Sequence, residues 1–440
     1  MTIEAAAGSA DSTTVGVTST QSINGGSTTS GSAGSADIGA TGTVAIAGRA
    51  PEAAGNARPA TEPTRWRDPH RALWLLGLVV PLLPLVAWGA YRASGLGVFL
   101  WMGPIWVLAV IPALDAIVGT DATNPPESAM AQLEQSRYYR WCTYLFLPLQ
   151  YAGLLWSAWI VTHDRLPWFD ALGLTFTVGA VGGIAIANAH ELGHKREKVE
   201  RWLSRIVLAQ TMYGHFSVEH NRGHHSRVAT PEDPASARLG ESFWAFLPRT
   251  VFGGLRSGWS LEHIRLRREG RGSWSPRNRI LQAWAMSAVL FGGIIGVLGP
   301  RVIPFLLIQA VYGFSLLEVV NYLEHYGLLR QRLESGRYER CQPEHSWNSN
   351  HVASNVFLYN LERHSDHHAN PTRRFQMLRH FDSAPQLPQG YGGMIALAYV
   401  PPLWHRVMDR RVVAHYGGNV SLANIQPRRR EQILRRYAAS

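Results

Sequence analysis

Six stretches of the chain are apolar almost without interruption: Leu73 to Tyr91, Leu96 to Leu114, Trp141 to Val161, Ala171 to Ala189, Ile280 to Leu298 and Val302 to Val320. Each is close to the ~20 residues a helix needs to cross a hydrocarbon layer about 30 Å thick. Gly and Pro interrupt them (Pro81, Pro84, Gly182 and Gly183), which membrane helices tolerate because neighbouring groups satisfy the freed backbone. Buried helices of a soluble protein do not normally give six such runs. The pattern predicts an all-α integral membrane protein with six transmembrane helices, at about 73–91, 96–114, 141–161, 171–189, 280–298 and 302–320. Several of the 16 Trp residues stand near span ends, among them Trp74, Trp88 and Trp168, and read as interface anchors and core.

Outside these runs the composition changes twice. Residues 1–62 are dominated by Ala, Gly, Ser and Thr, which cannot bury enough apolar surface to offset the entropy of ordering, so this segment is expected to be a disordered low-complexity tail. It lacks a basic stretch followed by an apolar one, so it does not read as a signal peptide. Residues 63–420 form the expected membrane domain, and 421–440 an Arg-rich C-terminal segment.

The net charge of +11 is distributed unevenly. The connections after the first, third and fifth runs carry only Arg92, Arg165 and Arg301 as basic residues. Arg65, Arg67 and Arg71 precede the first run, and the segment 190–279 and everything beyond Gly327 are crowded with Arg. By the positive-inside rule both termini and the large loops face the cytoplasm. The basicity is therefore gathered on one face, beside the anionic leaflet of the lipid bilayer, and no nucleic-acid partner is expected. Two cysteines, Cys142 and Cys341, exclude a disulfide scaffold, a thiolate zinc module and a built-in four-cysteine iron site.

Histidine is the informative residue: 13 of the 18 fall between His190 and His368. His190 and His194 stand one helical turn apart where the fourth run ends. His220, His224 and His225 have i, i+4 and i+5 spacing, His325 closes the sixth run, and His364, His367 and His368 have i, i+3 and i+4 spacing. Residues one turn apart share a helix face, so paired imidazoles can reach one metal. Nine candidate ligands are too many for one ion and about right for two, although imidazole suits iron, copper, zinc and nickel alike. His70, His163, His263, His380, His405 and His415 have no such neighbours and are read as structural, while His215, His345 and His351 lie near the groups. His190-Glu191-x-x-His194 also matches the zinc-protease signature in which Glu is the general base. That reading uses two of the nine histidines and one further ligand, and leaves the other clusters unexplained.

Longer strings narrow the field. AHELGHK from Ala189, GHFSVEHNRGHHSRVATPEDPASAR from Gly214, NYLEHYGL from Asn321, SWNSNHVASN from Ser346, RHSDHHANPTRRFQ from Arg363 and TNPPE from Thr123 together resemble the integral-membrane alkane hydroxylases (alkane 1-monooxygenases) of the histidine-box di-iron superfamily. The resemblance covers roughly residues 65–420. It departs at Glu362, where the family usually has Gln, and at the low-complexity tail. It implies that His190, His194, His220, His224, His225, His325, His364, His367 and His368 hold two Fe ions on the cytoplasmic side. Glu191, Glu219, Asp233, Glu324 and Asp366 are candidate partners for the ligands' second ring nitrogens. Asn321, at the end of a span where a polar residue is costly, joins them.

The resemblance further implies rubredoxin-dependent hydroxylation of the terminal carbon of medium- to long-chain n-alkanes by O2 in a bacterial cytoplasmic membrane. Electrons would come from a separate rubredoxin and an NAD(P)H-dependent rubredoxin reductase, since the chain ends without further cysteines. Hydroxylation of methyl groups on aromatics, as in xylene monooxygenase, and fatty-acyl desaturation are the alternatives. In the family the second span gates substrate length, and the matching stretch here is Trp106-Val107, whose small Val107 would leave a tunnel open.

Overall fold

The computed structural model describes residues 66–437. The tail 1–62, Arg65 and the last three residues of the segment 421–440 lie outside them. Among the described residues there is no strand, only isolated bridges such as Thr120 with His351 and Asn348 with Gln386. Six helices among these residues are long and apolar enough to span a membrane: α1 (Leu73–Ser94), α2 (Gly97–Val118), α3 (Arg137–His163), α4 (Trp168–Gly193), α8 (Arg279–Leu298) and α9 (Pro300–His325). Between α4 and α8 lie α5 (Lys198–Ala209), the short helix α6 (216–227) and α7 (Phe243–Arg268). After α9 come α10 (Val352–Phe357), α11 (His364–Ala369), α12 (Tyr391–Ala398), α13 (Pro401–His415) and α14 (Arg430–Tyr437).

Three spans clearly outgrow the apolar runs that predict them: α3, with 27 residues, and the two that end beside the histidine groups. With 26 residues each, α4 and α9 reach about 39 Å, beyond a ~30 Å hydrocarbon layer. The surplus turns carry His190 on α4 and His325 on α9. Of the six, α4 and α9 are also the most enclosed, with 72% and 56% of their most apolar stretches buried against 39% or less in the other four. Elsewhere the apolar residues face outward, as at Ile117 (79% exposed) and Val297 (83%), which is what a lipid-facing surface requires. Trp168 is exposed, as an anchor would be. Trp74 is core: it is buried and its indole N–H donates to Asp68 Oδ2 at 2.9 Å.

The α4–α9 contact depends on missing side chains. A Cβ at Gly179 would lie 2.9 Å from the Gln309 carbonyl oxygen, and one at Gly183 would lie 2.8 Å from Leu316 Cβ and 3.0 Å from the Gly313 carbonyl oxygen. Small residues at such crossings let helix backbones approach closely where no hydrophobic effect drives association. Amides cross-link this interior: Gln150 donates to Gln210 Oε1 (2.8 Å), and Gln309 donates to the Gln210 carbonyl (2.8 Å). Glu318, within α9, accepts from Tyr213 and Thr250, both at 2.8 Å, and from Asn321 at 3.2 Å. An apolar cavity lies between α2, α4, α9, α12 and the segment 358–361; Val107, Ile184, Ala187, Val320, Leu361 and Ile395 are among its walls.

Candidate metal centre

Four segments bring the nine imidazoles together into two groups. His190, His194, His220, His225 and His367 form one, and His224, His325, His364 and His368 the other; within each, one ligand atom per residue lies within 4.8 Å of the rest. The first draws on α4, α6 and α11, the second on α6, α9 and α11.

The split within α6 has a backbone cause. In a regular helix residues five apart point about 140° away from each other, so His220 and His225 would diverge. Here the helix widens into a π-turn over His220–His224, the kind of distortion often found at functional sites. It brings His225 Nε2 to 3.1 Å from His220 Nε2 and sends His224 to the other group, where its ring stands 4.9 Å from those of His325 and His368. On α11, His364 and His368 pair with Nε2 atoms 2.9 Å apart, while His367 turns to meet His225 Nε2 at 3.0 Å.

The donor set fits metal ions. Nε2 of His190, His194 and His224 and both ring nitrogens of His325 are buried without a hydrogen-bond partner, which an interior rarely leaves standing. The facing Nε2 pairs, at 3.1, 3.0 and 2.9 Å, are close enough for both members to reach one ion. Burial, reinforced by neighbouring imidazoles, holds His194, His220, His225, His364, His367 and His368 well below the usual histidine range. They are therefore neutral at pH 7 and have lone pairs to donate.

The carboxylates divide. Asp233 Oδ2 accepts from His224 Nδ1 at 2.8 Å, and also from Ser236 at 2.6 Å. Burial opposes charge on both groups, but their mutual attraction outweighs it, holding Asp233 low and raising His224. Glu324 Oε2 stands 3.2 Å from His364 Nε2, with its other oxygen accepting from Tyr391 at 2.8 Å. The remaining candidates bind elsewhere. Glu191 pairs with Lys195 (3.0 Å) and accepts from the Phe375 amide (3.2 Å). Glu219 accepts from Arg227 and Ser257, Asp366 from Arg373, Asn370 and the Arg379 amide, and Asn321 bonds Glu318. Glu191 is thus turned away from the imidazoles, which removes the basis for a zinc-protease general base.

His215, His345 and His351 stay outside both groups: His215 packs edge-on against Tyr213, and His345 and His351 bond Glu339 and Ser349. Val107 lines the apolar cavity, whereas Trp106 packs edge-on against Phe357 at 5.2 Å. Glu362 is fully buried; its carboxylate accepts from the Tyr391 amide at 2.6 Å and from Asn355 at 3.3 Å, and burial, together with Asp115, pushes it up to about 8. It is thus neutral at pH 7, as a Gln would be. Sequence reasoning missed Tyr391, which had no local signal, and Glu318, whose carboxylate inside an apolar run was a signal to follow.

Comparison with known proteins agrees with the geometry. A sequence model of the fatty acid desaturase family matches residues 166–398. The chain is 46% identical to the alkane 1-monooxygenase of Acinetobacter baylyi over 84% of its own length and 91% of the relative's. It is 44% identical to alkane 1-monooxygenase 1 of Alcanivorax borkumensis over 84% and 94%. The hydroxylase component of the xylene/toluene monooxygenase of Pseudomonas putida is 26% identical over 71% and 82%. Six spans, a double imidazole cluster at their ends and this level of identity over most of the chain place it in one group: the protein belongs to the alkane 1-monooxygenase family of the histidine-box superfamily, and is a membrane-embedded oxidoreductase.

Proposed function

We propose that the protein hydroxylates the terminal carbon of medium- to long-chain n-alkanes, using O2 at a di-iron centre and electrons from rubredoxin. The observation that carries this reading is the apolar cavity, whose walls at Ala187, Val320 and Leu361 stand three to five residues before His190, His325 and His364 in the chain. An alkane has no acidic proton and no polar handle, so side-chain acid–base or nucleophilic chemistry has nothing to act on. When bound, two iron ions would supply reductive activation of O2, which no side chain here offers. The balance is alkane, O2, two electrons and two protons giving a primary alcohol and water.

The chain's own residues have three tasks. His190, His194, His220, His225 and His367 would hold one ion and His224, His325, His364 and His368 the other, with Asp233 fixing the tautomer and orientation of His224. The cavity receives the hydrocarbon from the bilayer and keeps bulk water away from the reacting carbon. A basic groove opens over His194, lined by Lys195, Lys198, Arg201, Arg205, Arg222 and Arg279, with no carboxylate among its lining residues. It offers an acidic rubredoxin, reduced in turn by its NAD(P)H-dependent reductase, a seat close to the five-imidazole group. Arg-rich loops on the histidine-bearing side favour a bacterial cytoplasmic membrane with both termini inside, an arrangement that an even number of spans permits.

An aromatic-methyl substrate is the weaker reading, since identity falls from 46% to 26% between the alkane and the xylene/toluene relatives. The test is whole-cell conversion of n-alkanes from octane to hexadecane under oxygen-18-labelled O2, in a host supplying rubredoxin and its reductase, with His364→Ala alongside. Labelled 1-alkanols that vanish in the variant are expected. A metal-loaded wild-type protein that forms none would overturn the proposal.

A further inference from the structure

The cavity is walled mainly by membrane helices, but the turn that leads into His364 also forms part of its wall and lies outside the six spans. Leu358 and Leu361, both buried, line it from the link between α10 and α11. Between them Tyr359 and Asn360 both adopt left-handed backbone, with φ of 54° and 56°, a conformation non-glycine residues avoid and rarely take in succession. Several contacts impose it. The Tyr359 hydroxyl donates to the Cys142 carbonyl on α3 at 3.2 Å, and its ring packs edge-on against Phe375 at 5.2 Å. Asn360 donates from its side chain to the Phe375 carbonyl and from its amide to the Asn355 carbonyl, both at 2.8 Å. On the far side the Arg363 amide donates to the Asn360 carbonyl at 3.0 Å, and its guanidinium to the Leu378 carbonyl at 2.8 Å. The turn is therefore pinned on both sides, three residues before His364.

Strain held this firmly beside a cluster of candidate ligands calls for a purpose. On the hydroxylase reading, an alkane gives the protein only shape to work with. A slip of one methylene exchanges the terminal carbon for the subterminal one, whose C–H bonds are weaker and easier to break. Terminal selectivity then needs a rigid stop. We propose that Leu358 and Leu361 are that stop: the methyl end of the substrate rests against them, and the strained turn fixes their distance from the imidazoles. They act as positioning residues that select the carbon oxidised, whereas the span residues opposite govern how much chain is admitted.

The test uses the full-length protein in cells with its electron-donor proteins, octane as substrate, and the ratio of 2-octanol to 1-octanol as readout. Leu361→Ala and Leu358→Ala are expected to raise that ratio at least tenfold, while Val107→Ala on α2 leaves it near the wild-type value. Leu361→Val takes the place of Leu361→Ala should the latter not accumulate, with a smaller rise in the same direction. An unchanged ratio in the leucine variants would overturn the proposal. So would an equal rise in Val107→Ala, which would mean that any loosening of the cavity has the same effect. Wild-type cells that form no octanol would refute the hydroxylase reading itself, a failure visible before any variant is compared.

Discussion

Replacing Asp233 by Ala isolates one interaction at the centre. Asp233 and His224 are each about 1% exposed and meet at 2.8 Å. Without the carboxylate, a dry pocket holds an imidazole N–H with no acceptor, at a cost of about 1–3 kcal/mol. Nothing then fixes the ring so that Nε2 faces His325, His364 and His368. Loss of such a partner typically weakens metal binding ~10–100-fold, or about 1.4–2.7 kcal/mol. Because His224 belongs to only one imidazole group, the expected loss is selective. The assay is the metal-to-protein ratio of detergent-purified protein across a chelator titration, with His224→Ala as benchmark. In Asp233→Ala the ratio should fall from two to one at ~10–100-fold less chelator than the wild type needs, while the five-imidazole site keeps its ion. Asp233→Asn retains an acceptor without the charge and should lose about half as much in free energy. Loss of both ions together, or no change at all, would refute the reasoning: either the sites are not independent, or Asp233 does not orient His224.

Three other perturbations follow from the same geometry. Val107→Trp fills the cavity from α2 and should cut conversion of hexadecane relative to octane by an order of magnitude or more, read from product profiles in competition assays. Arg374 binds Glu200 and Glu197, each at 3.0 Å, and Glu200 is fully buried; Arg374→Leu should cost about 3–5 kcal/mol, seen as a lower Tm in detergent that Glu200→Gln largely restores. In metal-free protein the six imidazoles held below 6.5 by burial stay neutral when folded but take up protons when unfolded. Stability is thus full above 6.5 and lost as pH falls below it, by up to about 1.4 kcal/mol per pH unit for each such histidine. A flat Tm profile from neutral pH to a unit below 6.5 would contradict this.

Glu191 and Asp233 show how far the residues themselves could be read. Both stand near histidines in the chain, yet one reaches away to Lys195 and the other meets an imidazole nine residues off. Trp106 and Val107 are neighbours, and only Val107 lines the cavity. In each case the outcome depends on which way a helix face turns against its partners, and a local string carries no record of that.

The sequence by itself determined the six spans and the four histidine groups, because both are local: a hydrocarbon layer demands about 20 apolar residues in a row, and imidazoles one turn apart share a face. Only the tertiary structure decided how nine histidines divide into five and four, since each group is assembled from three segments far apart in the chain. That division rests on the close α4–α9 crossing at Gly179, Gly183 and Gly313, on the extra residue in the π-turn at His220–His224, and on the turn of α11 that separates His367 from His364 and His368. The buried supports have the same origin. Tyr391 reaches Glu324, and Leu358 and Leu361 reach the cavity, through packing between elements, and packing has no period along the chain.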